Sequence, residues 1–494
     1  MRRLFFICCL VHLLSVGCGK ESKVPTVTNA TLRNYDQATS NVVEVSETQT
    51  KQLQRQLWIS TIPKAGGTVE SNVVDDVMRV RRIRLPMGKD LSIAMKSIAC
   101  FDELRELDLS HTGIEDQSLV CLLDLPNLVT LDLSGTNVTA KGLKHLSSLP
   151  ALKNLNLSFC KLDVAAFSEI NKIKLLENLD LSIAKFLPEN LGEFTHLTEL
   201  RELSLMAKVG IEDRHLKCLR SMPNLERLYL RGEITDAGLD HLIRLSQLRR
   251  LGLDETMITN AGLQQLTQLD RLEYLGIVGT QVTREGLVIL KEFPALTEVS
   301  ISPRGVTAQD LAHVRQCENL ETLGLFGSPM IDDRGMEEIS KISSLKSLQI
   351  VEAKISNQGI ESLSNLPLLK DLQLIGHTGL VTSEGLIELS KIKSLQNLTL
   401  VQYPVDRAVL NALAMLPELK SLDLSNNPMR PEWIDKFKDF QFLKTLSLVN
   451  CDLTDECIPV LKKLKHLETL TLPLNKFSDD GKQDLKESMK GVYN

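Results

Sequence analysis

Apolar and polar positions follow one recurring pattern along most of the chain. In Leu104-x-x-Leu107-x-Leu109 the leucines alternate with polar residues, and the small residue Thr112 and the apolar residue Ile114 come next. An alternation with a period of two is typical of a short β-strand that points its leucines to one side, into the protein. The pattern therefore predicts many short strands, each followed by a loop.

The distance between successive copies of this pattern is nearly constant. Seventeen copies span 387 residues, in sixteen steps that average about 24 residues. The copies begin at Val80, Leu104, Leu128, Leu152, Leu176, Leu200, Leu225, Leu248, Leu272, Leu296, Leu320, Leu345, Leu369, Leu395, Leu419, Leu443 and Leu467. A fixed period of this length indicates one elongated solenoid instead of several globular domains.

A second motif, Ile/Val-Thr-x-x-Gly-Leu, lies between strands and predicts short helices. Threonine is a preferred N-cap residue, and apolar residues three apart then line one face of a helix. Proline stands two residues before several strands, where it favours a return to extended backbone. The motif begins at Val138, Ile234 and Ile258, and the prolines are Pro126, Pro150, Pro223, Pro294, Pro367 and Pro417.

One strand and one helix cannot bury their own leucines, so stacked neighbours have to supply the core. We therefore predict an α/β fold, a horseshoe-shaped solenoid with a parallel β-sheet on the concave face and short helices on the convex face. The repeats are predicted to fill residues 80–476, between an N-terminal cap at 49–79 and a C-terminal cap at 477–494.

This pattern resembles the leucine-rich repeat family over about 400 of the 494 residues. The 24-residue step and the Thr-x-x-Gly-Leu helix start are similar to the ribonuclease-inhibitor and cysteine-containing subclasses. The family's usual Asn or Cys after the strand is kept at some positions, such as Cys160 and Asn427, and is often Thr elsewhere, as at Thr112 and Thr136. The resemblance implies a horseshoe that binds proteins on its concave face, without saying which protein.

The first residues have the layout of a secretory signal. A basic start precedes an apolar run over residues 4–14, which at about eleven residues is too short to span a membrane. Gly17-Cys18 resembles the lipobox of bacterial lipoproteins, in which the cysteine becomes the acylated N-terminus. We therefore expect residues 1–17 to be removed, Cys18 to anchor the protein to a bacterial membrane, and residues 18–48 to form a flexible tether. The alternative is an ordinary signal peptide with Cys18 as a bystander thiol.

Charge and motifs narrow the classes of function. The formal net charge of −6 argues against broad nucleic-acid binding, which requires a strongly basic surface. No short motif for phosphate binding, zinc hydrolysis or acyl transfer is present. We therefore expect no enzyme, no cofactor and no nucleic-acid partner.

Cysteine and histidine side chains are the remaining candidates for chemistry. Seven cysteines lie within the repeats without paired spacing and are expected to be buried thiols. Cys121 and His145 occupy the same helix position in adjacent repeats, as do Cys218 and His241. Two ligands fall short of the four that a structural zinc site needs, so half-buried helix residues are the preferred interpretation and no metal is expected.

The concave face is the surface where we expect function, because strand alternation frees its side chains from the core. Aromatic and arginine residues, which interface centres favour, occur in its middle repeats beside small residues such as Gly252 and Gly276. An apolar column that includes Val351, Ile375 and Val401 continues from there. The alternative is that these valines are merely good strand formers and that the acidic early stretch is a solvated face. The candidate partner-binding residues are Arg227, Tyr229, Arg231, Arg250, Tyr274, Val278 and Phe326.

The function predicted from these features is that of a non-catalytic protein-binding scaffold, exported and lipid-anchored at a bacterial cell envelope, with an unknown protein partner. A substrate-recognition subunit of a ubiquitin ligase, similar to F-box proteins with such repeats, is an alternative that needs a cytosolic chain and an F-box. An enzyme with a hidden site is a third hypothesis. A purely architectural envelope protein is a fourth, and the sequence does not separate it from the first.

Overall fold

The computed structural model describes most of the repeat region. It covers residues 101–492 without 207–209, 303–305, 328–330, 377–378 and 490, and before them residues 55, 59, 62–63, 66–74, 77–85, 95 and 98. The chain divides into two compact units, Met1–Gln56 and Leu57–Asn494, and nearly all described residues belong to the second. The predicted signal segment 1–17, the acylation site Cys18 and the tether 18–48 lie outside the described residues.

One β-sheet runs through the second unit. Seventeen described strands, β2–β18, pair in parallel in chain order, and β1 pairs with β2 in antiparallel fashion. The register follows the repeat, because Leu107 lies beside Leu131 and Leu131 beside Leu155. The strands are β1 Thr68–Val74, β2 Val77–Arg84, β3 Glu106–Asp108, β4 Thr130–Asp132, β5 Asn154–Asn156, β6 Asn178–Asp180, β7 Glu202–Leu205, β8 Arg227–Leu230, β9 Arg250–Gly252, β10 Tyr274–Ile277, β11 Glu298–Ile301, β12 Thr322–Leu325, β13 Ser347–Val351, β14 Asp371–Ile375, β15 Asn397–Val401, β16 Ser421–Asp423, β17 Thr445–Ser447 and β18 Thr469–Thr471.

The repeated leucines form one continuous core. In the third strand's repeat, Leu104, Leu107 and Leu109 are buried, and Ile114 and Leu119 pack with them. The same positions are buried in every later described repeat, so each layer covers the next. The predicted fold class is confirmed: the described residues form an α/β solenoid with an open parallel sheet and short helices.

Short helices follow the strands, as predicted, and many are 3₁₀ helices. The 3₁₀ form rises further per residue than the α form and fits segments of only a few residues. The α-helices are Ala140–Leu143, Val164–Ile170, Asn260–Leu266, Leu311–Val314, Asp333–Ile339, Asn357–Ser362, Ser383–Glu388, Arg407–Leu413, Ile458–Leu461 and Asp479–Ser488. The 3₁₀ helices are Asp116–Asp124, Leu146–Ser148, Pro188–Glu193, Asp213–Ser221, Asp236–His241, Arg284–Glu292, Leu363–Asn365, Leu389–Lys391, Pro431–Asp439 and Asp455–Cys457.

The Thr-x-x-Gly motif links the helices of neighbouring repeats. The Thr259 hydroxyl caps its own helix by accepting the Ala261 N–H group at 3.2 Å. The Thr259 N–H and hydroxyl groups donate to the carboxylate of Asp236, one repeat earlier, at 2.8 and 2.6 Å. A Cβ atom on Gly262 would clash with that carboxylate, so the motif's glycine is required by the preceding repeat.

A tight turn with a residue of positive φ follows most of the described strands. Glycine occupies this turn position at Gly135 and Gly279, with φ of 63° and 72°, but Phe159 and Ile183 hold it at 61° and 58°. Glycine adopts this conformation freely, whereas a bulky or β-branched residue does so at a cost in free energy. The side chains at this turn position therefore lie along one edge of the sheet, which we call the turn edge.

The two ends of the solenoid differ. The antiparallel hairpin of β1 and β2 begins the sheet, and the backbone N–H group of Leu470 in β18 donates to the carbonyl of Val492 at 2.7 Å. The helix Asp479–Ser488 is capped by Ser478, whose hydroxyl accepts the Gly481 N–H group. Among the residues that the structure describes, no helix is both long and apolar enough to cross a lipid bilayer.

Candidate functional site

The strand face, the side of the sheet that does not face the core, carries three columns of side chains. Each strand contributes one residue before, one between and one after its two inward-facing residues. In β9 these are Arg250, Gly252 and Asp254, and the strand pairs in register with β8 and β10. The registers bring the predicted residues of the middle repeats together on adjacent strands.

Glycines on the strand face make room for aromatic rings. A Cβ atom on Gly252 would lie 2.8 Å from the ring of Tyr229, and one on Gly276 would lie 2.6 Å from the hydroxyl of Tyr274. The two tyrosine rings are 6.4 Å apart between centroids and tilted by 49°. We call the surface formed by Tyr229, Arg250, Tyr274 and the two glycines the aromatic platform. The side chains lie along the backbone instead of projecting from it.

Arg250 ties the platform together. Its guanidinium carbon lies 4.4 Å from the ring centroid of Tyr274, within the range of a cation–π contact, and its Nε donates to the Tyr229 hydroxyl at 3.4 Å. Its Nη2 pairs with the carboxylate of Glu298 at 2.8 Å. This ion pair reaches from β9 to β11 and crosses Tyr274, which lies on β10 between them. The arginine is held by three neighbours and its side chain is 35% exposed.

The other two predicted arginines are paired in the same way. The Arg227 Nε donates to Glu202 at 2.8 Å, and its Nη2 donates to Asn178 at 3.2 Å. Arg231 pairs with Glu255 in the turn after β9. Because each arginine meets a carboxylate of a neighbouring repeat, this part of the strand face is close to neutral and its side chains are fixed in place.

Burial shifts two acidic groups at the platform. Burial, together with the nearby carboxylate of Asp254, raises the pKa of Tyr274 to about 12, against a hydrogen bond with Ser300 that lowers it. Burial also raises the pKa of the Asp254 carboxyl, although that carboxylate accepts the Val278 N–H group at 2.7 Å and lies near Arg231, both of which lower it. The tyrosine hydroxyl is therefore a neutral donor at physiological pH.

The third column becomes apolar beyond the platform. Val351, Ile375 and Val401 lie side by side on β13, β14 and β15, and all are half-buried. Phe326 lies against Gly324 in its own strand, where a Cβ atom would be 2.8 Å from its ring. Ser302 lies between Val278 and Phe326 in this column. Val278 therefore lies beside the platform, and Phe326 lies at the start of the apolar column of Val351, Ile375 and Val401.

A polar hollow of about 570 Å³ borders the platform on the side of the earlier strands. Tyr229 and Met206 form its boundary toward the platform. Its polar side chains bond one another: Asn154 donates to Thr130 at 2.8 Å and Asn178 donates to Asn154. The other lining residues are Leu131, Asp132, Leu155, Asn156, Leu179, Asp180, Glu202 and Ser204.

The early acidic residues of this face have structural roles. The Asp132 carboxylate accepts the Ser134 N–H group at 2.8 Å, and Asp180 accepts that of Ser182 at the same distance. Such bonds stabilise the turn after each strand. The prediction of a merely solvated acidic face missed this role, although the repeated Asp-Leu-Ser sequence contains the signal.

The structure places three residues that the sequence did not single out beside the platform: Asp254, Glu298 and Ser300. Glu298 lies 48 positions after Arg250, so only the stacking of two repeats brings them into contact. Asp254 continues the third column between Arg231 and Val278, and the column pattern alone could have indicated it.

The cysteines and histidines do not form a site in the described residues. Cys160, Cys218, Cys317, Cys451 and Cys457 are buried free thiols, Cys121 is half-buried, and burial raises the pKa of Cys218 to about 12. Burial lowers the pKa of His241. In the described part of the chain, no group of three or more His, Cys, Asp and Glu side chains is arranged to hold a metal ion.

The stacked strand-and-helix layers define a repeat solenoid with an aromatic platform on its open sheet. The chain belongs to the leucine-rich repeat family, since residues 76–330 match the family described as leucine-rich repeat region. The leucine-rich repeat fold commonly mediates protein binding, and proteins with it are typically non-catalytic scaffolds. No curated protein matches the chain in sequence.

Several solved structures are similar. An internalin of Listeria monocytogenes is 18% identical with a TM-score of 0.43, covering 76% of this chain and 95% of that one. The TLR13–ssRNA13 complex is 18% identical with a TM-score of 0.47, covering 83% of this chain and 60% of that one. A leucine-rich repeat protein of Leptospira interrogans is 22% identical with a TM-score of 0.36, covering 83% and 99%.

Proposed function

We propose that the chain is a non-catalytic protein-binding scaffold, exported and anchored through an acylated Cys18 at a bacterial cell envelope. It binds its protein partner on the strand face, which the horseshoe prediction makes concave. The contact centres on the aromatic platform and includes Arg227, Arg231, Val278 and Phe326 around it.

The observation that carries this proposal is the fixed arrangement of Tyr229, Arg250 and Tyr274 over Gly252 and Gly276. Tyrosine and arginine supply most of the binding free energy at many protein interfaces. Side chains that already hold one conformation lose little entropy when a partner binds. The core does not need these rings, because the inward leucines fill each layer without them.

The position of the described platform residues on an open sheet favours binding over catalysis. The rings and arginines lie on an open sheet, and water reaches them from one side, whereas catalytic sites generally exclude water. The arginines and carboxylates neutralise one another in pairs. An arrangement of this kind fits a complementary protein surface with matching polar groups.

The proposed anchor is supported by the apolar run at residues 4–14 and by Gly17-Cys18. Labelling of cells with radioactive palmitate tests it. The native protein is expected to carry the label, and a Cys18→Ser variant expressed at the same level is expected to lack it. An unlabelled native chain would refute the lipid anchor and leave the binding proposal standing.

Crosslinking in intact cells, followed by identification of the captured proteins, tests the binding proposal. The partner is expected with the native chain and with Arg249→Ala, and to be lost with Tyr229→Ala/Arg250→Ala. Arg249 is a matched control because it also pairs with a glutamate of the next repeat, Glu273, but it is not part of the platform. If no protein were captured, the binding proposal would be wrong and a purely architectural role would replace it. If both variants captured the partner equally, the strand-face placement would be wrong and the interface would lie elsewhere on the solenoid.

A further inference from the structure

A compact apolar and basic patch lies on the turn edge, away from the aromatic platform. It consists of Phe159, Lys161, Ile183, Lys185 and Leu187, which we call the turn-edge patch. Phe159 and Ile183 are each 52% exposed and Leu187 is 68% exposed. Both lysines are exposed as well. Exposed apolar side chains are unremarkable when they occur singly, but three together indicate a contact surface.

Backbone pairing holds the patch in register. Lys161 and Lys185 form an isolated parallel bridge, in which the Lys185 N–H group donates to the Cys160 carbonyl and the Leu162 N–H group donates to the Lys185 carbonyl, both at 2.8 Å. The residues between the patch members are buried, at Cys160, Leu162, Ala184 and Phe186. Alternation therefore points Phe159, Ile183 and both lysines outward together.

The patch is present although it strains the backbone. Phe159 and Ile183 hold the left-handed turn position, at φ of 61° and 58°, where Gly135 and Gly279 serve in other repeats. Ile183 is β-branched, and such a residue with positive φ is a true outlier. Non-glycine residues such as His111, Glu255 and Leu474 hold the same turn position in other described repeats, so the left-handed turn itself belongs to the repeat. Ile183 is the β-branched residue among those at positive φ, and its exposed side chain is better explained by a contact than by folding.

The charges around the patch indicate the chemistry of its partner. Within the described residues, neither Lys161 nor Lys185 has a carboxylate oxygen within 4.0 Å of its ammonium group. The patch thus offers two ammonium groups without a paired carboxylate, on a chain whose formal net charge is −6. Apolar side chains beside unpaired lysines are complementary to a bilayer interface that carries anionic headgroups.

The chemistry of the patch favours a bilayer over a protein. Its three apolar side chains are each more than half exposed, and the two lysines beside them carry the charge that anionic headgroups attract. We propose that the turn-edge patch inserts Phe159, Ile183 and Leu187 into an anionic lipid surface while the two lysines bind the headgroups. This contact goes beyond the proposed function and does not depend on acylation of Cys18.

Vesicle flotation tests this inference with residues 18–494 carrying Cys18→Ser, the proposed mature chain without its lipid. The chain is expected to bind vesicles of phosphatidylcholine with phosphatidylglycerol more strongly than phosphatidylcholine alone. Phe159→Asn/Ile183→Gly is expected to lower the partition coefficient at least about tenfold, because two apolar side chains no longer leave water. Since Asn and Gly tolerate positive φ, this variant is expected to unfold no more easily than the parent chain.

Two further variants separate the apolar from the charged contribution. Lys161→Gln/Lys185→Gln is expected to remove the preference for phosphatidylglycerol and most of the salt dependence of binding. Leu474→Asn is the matched control: Leu474 holds the same turn position with 78% exposure, but the neighbouring Lys476 is paired with Asp452 at 2.8 Å. This control is expected to bind vesicles like the parent chain.

The outcomes are distinguishable from those of the strand-face proposal. Tyr229→Ala/Arg250→Ala is expected to bind vesicles normally, whether or not it loses its protein partner. If the parent chain bound neither kind of vesicle, or if Phe159→Asn/Ile183→Gly bound as well as the parent, the membrane contact would be refuted. In the first case a protein contact at the turn-edge patch would become the better explanation.

Discussion

The early strands β3–β6 and the platform strands β8–β11 belong to the same strand face but use its second column differently. In the early strands Asp132 and Asp180 accept turn N–H groups from Ser134 and Ser182. In the platform strands the second-column residues include Tyr229 and glycine, neither of which can accept a turn N–H group through a carboxylate. The second-column residues of the early strands therefore stabilise turns, whereas those of the platform strands do not.

This difference separates residues of the fold from candidate residues of function. A polar side chain on the strand face is weak evidence for binding when its oxygen already holds a neighbouring turn. The platform rings have no such task, and the glycines beside them leave the space that the rings occupy. The platform is accordingly the part of the face where substitutions should change binding more than stability.

The largest expected effect is on partner affinity. Tyr229→Ala/Tyr274→Ala is expected to weaken binding at least about a hundredfold, because two preorganised aromatic anchors are lost. Isothermal titration with the partner found by crosslinking measures this, and urea unfolding is expected to show a smaller change in the free energy of unfolding. Arg249→Ala serves as the control with unchanged affinity. An affinity within about threefold of the native value would place the interface elsewhere on the solenoid.

The reverse result is expected for the early strands. Asp132→Ala/Asp180→Ala removes two carboxylates that hold turns and is expected to lower the free energy of unfolding by about 2 kcal/mol in total. Partner affinity is expected to stay within about twofold, because neither carboxylate touches the platform. Urea unfolding and titration of the same preparations measure both quantities. A large loss of affinity with unchanged stability would make the polar hollow part of the binding surface.

The sequence alone predicted the frame of the molecule. The positions of Leu104, Leu107 and Leu109 fix a strand, its register and its buried side, because strand alternation and the 24-residue period leave little freedom. It also predicted the N-cap at Thr259. It missed the contact of Asp236 with Gly262, because that contact joins two repeats and depends on how closely their helices stack.

The candidate site was predicted less completely. The strand pattern placed Tyr229, Arg250 and Tyr274 on one face, and the structure brings them into contact. The pairing of Arg250 with Glu298 did not follow from the pattern, because a side chain that reaches across two strands depends on rotamers and not on periodicity. Nor did the pattern show that Phe159 and Ile183 hold a left-handed turn, since glycine marks that position only in some repeats.

A smaller effect is expected when the space beneath a ring is filled. Gly252→Ala places a methyl group 2.8 Å from the Tyr229 ring, which has to move away from the sheet. Partner affinity is expected to fall about fivefold to tenfold, whereas the free energy of unfolding is expected to change by less than about 1 kcal/mol, because the ring can turn into solvent. Ser447→Ala, on β17 of the same face, is the control that is expected to keep the native affinity. Equal affinities of Gly252→Ala and Ser447→Ala would show that the position of the Tyr229 ring is unimportant.

The smallest expected effect comes from the carboxylate at the edge of the platform. Burial raises the folded-state pKa of Asp254, so the folded protein binds this proton more tightly than the unfolded chain does. The charged carboxylate therefore costs stability at neutral pH, and that cost is relieved as the pH falls through the raised folded-state pKa. Asp254→Asn keeps an oxygen for the Val278 N–H group and is expected to raise the free energy of unfolding at neutral pH by less than about 1 kcal/mol. The advantage of the variant in urea unfolding is expected to shrink toward acidic pH. A variant that is less stable than the native chain at neutral pH would mean that attraction between Asp254 and Arg231 outweighs the cost of burial.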